Sequence, residues 1–407
     1  MSTAHNASSS LFRERSAHGH HRVTFVELFF DLVFVFAVTQ LSHSLLAHFT
    51  ALGLVQVLVL MAAVWWVWIY TCWITNWLDP ERPSVRLMMF ALMLAGLALS
   101  TSIPEAFGER GWVFAVAYTA MQLGRTLFML RAIPPGDVAL RRNFQRIGIW
   151  LCVSATLWIA GGLSAPPQRL LLWGGALLVE YAGPALRFWS PGLGASKVED
   201  WAVEGGHLSE RAALFIIIAL GESILVTGAT FAEAHWDGIT AAAFAVAFVG
   251  SLAMWWIYFD TGAEFGSQQI SHARDPGRLG RLAYTYLHLP LVAGVILSAV
   301  GDELSLAHPH AATDVEALLG VVGGPILYLL GALLFKHAIR GWFQLSHLVG
   351  IAALGALCAF GSLLSRLGLA TTTAAVLALV AAWESLSLRS APKPTGAPGD
   401  SPQPSAP

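Results

Sequence analysis

Two carboxylates stand where hydrocarbon is expected. In VTFVELFFDLVFVFAVTQL, residues 23–41, Glu27 and Asp31 interrupt an otherwise apolar run. A charged side chain near mid-bilayer costs on the order of 2.5–3.5 kcal/mol on insertion scales, so an acid kept there is read as handling a proton, an ion or a polar substrate. Helical spacing sets Thr24, Glu27 and Asp31 at i, i+3, i+7, with Ser42 about three turns further on. All four then share one stripe, while Phe29, Phe34 and Phe36 point elsewhere. Two acids four residues apart titrate as one coupled pair unless a cation stands between them.

The cation expected beside them is Arg125, in an apolar run where Tyr118, Gln122 and Arg125 repeat at i, i+4, i+7. Arg281, Tyr284 and His288 form a third stripe at similar depth. His288 is either a group titrating near neutral pH or a hydrogen-bonded structural histidine. A second landmark is HLSERAALFIIIALGESILVTG, residues 207–228. It places Glu210 and Arg211 at the mouth of a span and Glu222 near its middle, on the same helical face as Arg211. Ser223 follows, and Gly221 leaves room for a close helix neighbour. Glu180, Asp260 and Glu384 are further acids within or beside apolar runs.

The elements that must carry these residues are membrane helices. Hydrophobic residues make up 56% of the 407 and charged residues 12%, with a mean hydropathy of +0.63, against about 25% charged in soluble domains. Runs of roughly 20 apolar residues are long enough to cross the bilayer. Twelve are expected, near 23–45, 51–77, 85–103, 111–131, 145–163, 169–189, 211–231, 238–260, 281–300, 315–337, 343–364 and 369–388. Segments 1–22 and 390–407 have the polar, Ser- and Pro-bearing composition of disordered tails, and His18, His20 and His21 read as solvated tail rather than metal ligands. The first run is too long and too acidic for the core of a cleavable signal peptide. Cys72, Cys152 and Cys358 all lie in apolar runs, which suggests neither a disulfide framework nor a metal cluster.

Charge placement sets the orientation. With a cytoplasmic N-terminus, only Arg110, Arg169 and Arg366 of the 23 Lys and Arg fall in outer loops, and Arg125 lies within a span. By the positive-inside rule this favours an even number of spans and two cytoplasmic termini.

The chain also repeats itself. WWVWIYT at 65–71 returns as WWIYFDT at 255–261, RRNFQ at 141–145 returns as RGWFQ at 340–344, and Glu180 is matched by Glu384. A tandem duplication predicts an all-α polytopic bundle of about 12 transmembrane helices in two parallel six-helix repeats, 23–189 and 211–389, joined by a cytoplasmic linker at 190–210. Its symmetry axis would run along the membrane normal. An offset of 191 would make Asp31 and Glu222 counterparts. The competing reading is chance recurrence of interfacial Trp and Phe.

The opening Arg22-Val23-Thr24 with VELFFDLVFVFA (26–37), and the block HLSERAALFIIIALGESI (207–224), resemble the bacterial low temperature requirement protein A (LtrA) family. The likeness extends over about residues 21–388. It implies a multi-pass protein of the bacterial inner membrane and carries no catalytic residue set. Its signature positions here would be Glu27, Asp31, Glu210, Arg211, Gly221, Glu222 and Ser223.

Three function classes compete. If the polar residues are only interhelical glue, they contribute about 0.6 kcal/mol each, a poor return for several acids at depth. A proton- or cation-coupled secondary transporter of unspecified substrate accounts for parallel repeats and paired acids. Its coupling candidates are Glu27, Asp31, Arg125, Glu210, Arg211, Glu222, Ser223 and His288, then Thr24, Tyr118, Gln122, Glu180, Asp260, Tyr284 and Glu384. The alternative is an intramembrane enzyme acting on a lipid or isoprenoid. There Trp65, Trp66, Trp68, Trp73 and Trp77 would line a cavity for cationic intermediates and a carboxyl pair would act as acid. Trp73 and Trp77 also read as an interfacial belt. No phosphate loop or span His/Cys ligand spacing points to a nucleotide, cofactor or metal, and the expected partners are the lipid bilayer and a small solute, ion or lipid, not nucleic acid.

Overall fold

The computed structural model describes residues 10–13, 22–201 and 203–389. Twelve long helices carry the chain: α1 Phe25–Ala47, α2 Ala51–Trp77, α3 Pro83–Ser102, α4 Gly111–Ala132, α5 Val138–Gly162, α6 Pro166–Ala185, α7 Gly205–Glu233, α8 Gly238–Tyr258, α9 Pro276–Ala307, α10 Val315–Arg340, α11 Leu345–Leu363 and α12 Arg366–Arg389. Among the described residues there is no strand, only isolated β-bridges. Starts are set by side-chain caps at Thr24, Thr50, Asp137, Glu204, Asp237 and Asp314, which satisfy the first free N–H groups. Pro83, Pro166 and Pro276 open three others, where a missing N–H costs nothing.

Eleven of the twelve are long and apolar enough to cross a bilayer by length and composition. The exception is α6, whose run is diluted by Gln168, Arg169 and Glu180; Arg169 and Glu180 are both buried against protein. Large apolar side chains such as Leu94, Leu171, Leu178 and Leu379 are exposed on the outward faces. This is what a hydrocarbon solvent asks of a multi-pass bundle.

α1 packs on α2 and α3, α3 on α4, α4 on α5 and α5 on α6, while α2 also meets α4 and α6. The same pairings recur among α7 to α12. The two sets meet through α1 and α2 on one side and α7 and α9 on the other. α1 and α7 run side by side in the same direction, since Asp31 faces Arg211 and Thr39 faces Glu222.

α8 to α10 depart from regular winding. π segments occupy Phe259–Ala263, after which the helix continues as Glu264–Ser271, and also Gly280–Tyr286 and Leu319–Gly323. α9 and α10 touch backbone to backbone: a Cβ on Gly301 would lie 2.4 Å from the Gly320 carbonyl carbon. Gly221, expected to admit a close neighbour, faces open space; the tight glycine seam lies elsewhere.

The N-terminal segment also departs from expectation. Residues 10–13, assigned to a disordered tail by composition, dock on the end of α2. Phe12 bridges Leu78, and the Arg13 N–H donates to the Trp77 carbonyl at 2.9 Å. The apolar pair Leu11-Phe12 packs against the core, which supplies the burial a polar tail lacks. His18, His20, His21 and segment 390–407 lie outside the described residues.

Candidate functional site

The two acids of α1 meet an arginine, but not the expected one. Arg211 of α7 bonds Asp31 (Nη2–Oδ1 2.6 Å) and Glu27 (Nη1–Oε1 3.1 Å), and all three side chains are essentially fully buried. Glu27 also receives Arg13 at 3.0 Å and lies 2.9 Å from His207 Nε2. Trp68 Nε1 donates to Asp31 at 2.8 Å, and the Arg211 guanidinium sits 5.8 Å from the Trp68 ring centre. Asn76 fixes the far side of His207, 3.3 Å from Nδ1, and itself donates to the Glu204 carbonyl at 2.7 Å. The cluster thus ties the docked N-terminal segment, α1, α2 and α7 together where the two sets of helices meet.

Thr24 and Glu27 explain why α1 starts there. The Thr24 N–H donates to Glu27 Oε2 at 2.9 Å and the Glu27 N–H to Thr24 Oγ1 at 3.4 Å, a reciprocal capping box. Glu27 therefore lies in the first turn, at the helix mouth. Glu210 is exposed and accepts from the Val23 N–H at 3.2 Å, outside the ion cluster. Ser42 spends its hydroxyl on the Val38 carbonyl of its own helix. Glu27, Asp31 and Ser42 of the stripe are buried and Thr24 is partly so, but Phe34 is buried with them, while Phe29 is turned outward.

Arg125, carried by α4, packs against another face of α2. It donates to the Val67 carbonyl at 2.9 Å and to Thr71 Oγ1 at 2.8 Å, and it contacts Gln122 Oε1. The expected pairing with Glu27 and Asp31 is corrected for this reason: α2 meets Asp31 through Trp68 and Arg125 through Val67 and Thr71. Tyr118 and Gln122 instead serve Glu180, which also accepts from Ser154 at 2.7 Å and Trp158 at 3.0 Å. Glu180 is thus a buried carboxylate held by neutral donors.

In the second set of helices, Lys336 of α10 pairs with Glu384 of α12 at 2.6 Å and donates to the Ile257 carbonyl at 2.8 Å. Arg340 and His347 lie 3.7 and 3.9 Å from the same carboxylate. Asp260 is an exposed acceptor for Ser385 at the start of a π segment. His288 is saturated: Nδ1 lies 2.8 Å from the Ala283 carbonyl and Nε2 2.8 Å from the Tyr258 hydroxyl. A carbonyl only accepts, so the proton sits on Nδ1 and Tyr258 donates to Nε2. Tyr284 stacks on His288 with ring centres 5.1 Å apart.

Glu222 accepts from Thr39 Oγ1 at 2.5 Å, and Ser223 contacts Ser251 at 2.9 Å and Asp302 at 3.3 Å. This corrects the expected match of Asp31 with Glu222. On parallel neighbouring helices Glu222 is level with Thr39, eight residues or about 12 Å beyond Asp31 at 1.5 Å per residue. A symmetry axis along the membrane normal preserves depth and cannot exchange the two. RRNFQ and RGWFQ also part company, the first lying within α5 and the second at the turn between α10 and α11.

The aromatic residues form a cavity, with a different lining from the one expected. A space of about 30 Å³ is bounded by Tyr70, Trp73, Trp77, Trp201, Arg125 and Arg281, among others. Trp65, Trp66 and Trp68 are packed solid, and Trp73 and Trp77 are buried rather than forming a belt. Trp73 Nε1 donates to Thr285 Oγ1 at 3.0 Å.

A family model described as bacterial low temperature requirement A protein (LtrA) matches residues 22–382, taking in both the α1 acids and the α7 arginine. The chain belongs to the LtrA family. It is also 42% identical over 369 residues, 90% of each chain, to a protein of Rhizobium meliloti (strain 1021) described as uncharacterized. No solved structure matches this LtrA protein.

Sequence reasoning passed over Arg13, Asn76, His207, Lys336 and Asp302, and assigned Trp68 to an aromatic cavity rather than to Asp31. Two signals were available: His207 opens the HLSER block, and Lys336 is a lysine inside an apolar run. Asp302 was hidden by ending its span at 300, whereas α9 runs to Ala307.

Proposed function

We propose that this LtrA protein is a proton- or cation-coupled secondary transporter of the bacterial inner membrane, with both termini cytoplasmic and two parallel six-helix repeats. The observation that carries this reading is the buried ion cluster of Glu27, Asp31, His207 and Arg211 between α1 and α7. Buried charge costs more than apolar packing of the same volume, so its use at the seam between two helix sets favours a contact made to be broken. In alternating access this is the closed cytoplasmic side.

The repeat draws support from the duplicated helix pairings and from a shared contact. The third residue of each tryptophan motif, Val67 or Ile257, offers its carbonyl to a buried cation, Arg125 or Lys336. The carboxylates Glu180 and Glu384 follow in the last helix of each set. The cavity near the same seam, with two guanidiniums among aromatic rings, is electropositive and has room only for water-sized particles. For the same reason the lipid-enzyme alternative loses its footing, because Arg125 and Arg281 would repel a cationic intermediate.

The test is flux in proteoliposomes carrying a pH-sensitive dye, with a panel of small organic and inorganic solutes. The expected result is solute flux driven by a proton or cation gradient and abolished by Asp31→Asn. Absence of any gradient-dependent flux across such panels would defeat the transporter. A membrane lipid or terpenoid differing between cells with and without the protein would favour the enzyme.

A further inference from the structure

A second small cavity lies where α8, α9, α10 and α12 converge. It has about 20 Å³ of free space, room for one water-sized particle, since a single water needs about 10–15 Å³. Its polar lining side chains are Ser298, Asp302 and Thr373, all oxygen donors, and the lining includes no Lys, Arg or His. The hydroxyls of Ser298 and Thr373 are both buried and have no hydrogen-bond partner. A buried orphan hydroxyl costs about 1–3 kcal/mol, and two orphans beside one carboxylate in a closed space are unexplained by packing.

The backbone around the cavity is also unusual. Val321 and Pro325 of α10 line it. Pro325 has no N–H to give the Val321 carbonyl four residues back, and this stretch is wound as the π segment Leu319–Gly323. Discontinuities of this kind are where transporter helices turn backbone oxygens toward an ion. On its other side, Asp302 Oδ2 is held 3.3 Å from Ser223, which contacts Ser251 at 2.9 Å. Asp302 itself is only partly buried.

We propose that this cavity binds one hard monovalent cation of the size of Na⁺, held by the Asp302 carboxylate and the Ser298 and Thr373 hydroxyls. A single carboxylate balances a single positive charge, the oxygen-only donor set matches a hard ion, and the volume excludes an organic cation. Ser223 positions Asp302. The site rests on the transporter reading only for its purpose, as the place where a coupling ion is taken up; binding itself is independent of any transported solute.

The experiment is equilibrium binding of radioactive Na⁺ to the purified full chain in detergent, with melting temperature followed in parallel. NaCl is titrated against choline chloride at constant ionic strength and fixed pH. Wild-type protein should bind about one Na⁺ per chain and melt higher as Na⁺ rises. Asp302→Asn should abolish both effects, and Thr373→Val and Ser298→Ala should each weaken binding about tenfold or more. Should Asp302→Asn fail to fold, Thr373→Val and the wild-type titration still decide the matter. Absence of saturable Na⁺ binding by the wild type overturns the site and makes it a cavity for a water. So does binding that Asp302→Asn and Thr373→Val leave unchanged. Either result leaves a proton-coupled transporter standing, and a transporter that fails for lack of flux leaves the binding result intact.

Discussion

The α1–α6 and α7–α12 sets are built on the same helix pairings, yet they handle buried charge differently. In the first, Glu180 is held by neutral donors, and Arg125 is spent on a carbonyl, a threonine and a glutamine. In the second, Lys336 and Glu384 form a direct buried ion pair. The π segments fall in α8 to α10, and one of them, Leu319–Gly323, lines the Asp302 cavity through Val321. π winding concentrates at functional sites. One set thus reads as a scaffold whose buried carboxylate is held by neutral donors, and the other as the part whose helices are rewound. The ion cluster between α1 and α7 joins them.

That contrast predicts an order of mutational effects. Arg211→Met should be the most damaging, because it leaves Glu27 and Asp31 buried without their shared arginine; about 3–5 kcal/mol should be lost, read as a collapse of the melting temperature or of folded yield in detergent. Arg125→Met removes no carboxylate's partner and should cost less, about 1–3 kcal/mol. Equal losses would erase the distinction between the two arginines.

Glu384→Gln takes the counter-charge from buried Lys336 and should cost about 3–5 kcal/mol. Glu180→Gln, surrounded by neutral donors, should cost about 1–3 kcal/mol. The reverse order in thermal unfolding would contradict the scaffold reading of α4–α6. Gly320→Leu forces apart two backbones already in contact and should lower stability by about 1–3 kcal/mol or more, whereas Gly221→Ala, in open space, should stay within about 0.5 kcal/mol. Thr24→Ala removes one half of the capping box of α1 and should cost about 1 kcal/mol, leaving Gly221→Ala as the smallest effect.

Much of the architecture was legible in the sequence because membrane solvent enforces it. Apolar runs of spanning length gave helices within a few residues of those observed for α2, α3 and α4, and the family resemblance rested on the very blocks that pack together as α1 and α7. What was not legible is which polar groups meet. Helical spacing puts Asp31 and Glu27 on one face, but says nothing of whether Arg125 or Arg211 arrives from the neighbouring helix. The expectation chose Arg125 by apparent depth, and the packing of α2 between them decided otherwise. Arg13 escaped because a polar tail is read by composition, while Leu11 and Phe12 dock it by local burial. Asp302 escaped because an acid near a span end is indistinguishable from loop until the helix is seen to continue. The Asp31–Glu222 match failed for a related reason: sequence offset carries no information on depth once helices slide.

The most direct test of the account is whether the buried cluster between α1 and α7 opens to the cytoplasm. Thr75 is fully buried beside Arg211. A Thr75→Cys variant with Cys72, Cys152 and Cys358 replaced by Ala can be treated with a water-soluble thiol reagent in inside-out membrane vesicles, across pH and with Na⁺ present or absent. Glu210→Cys, at an exposed position, serves as the control. The account predicts slow labelling of Thr75→Cys under one condition and labelling faster by tenfold or more under another, with Glu210→Cys labelled rapidly throughout. Thr75→Cys unreactive under every condition, while Glu210→Cys labels, would mean that the cluster is permanent glue and that the two helix sets do not part there.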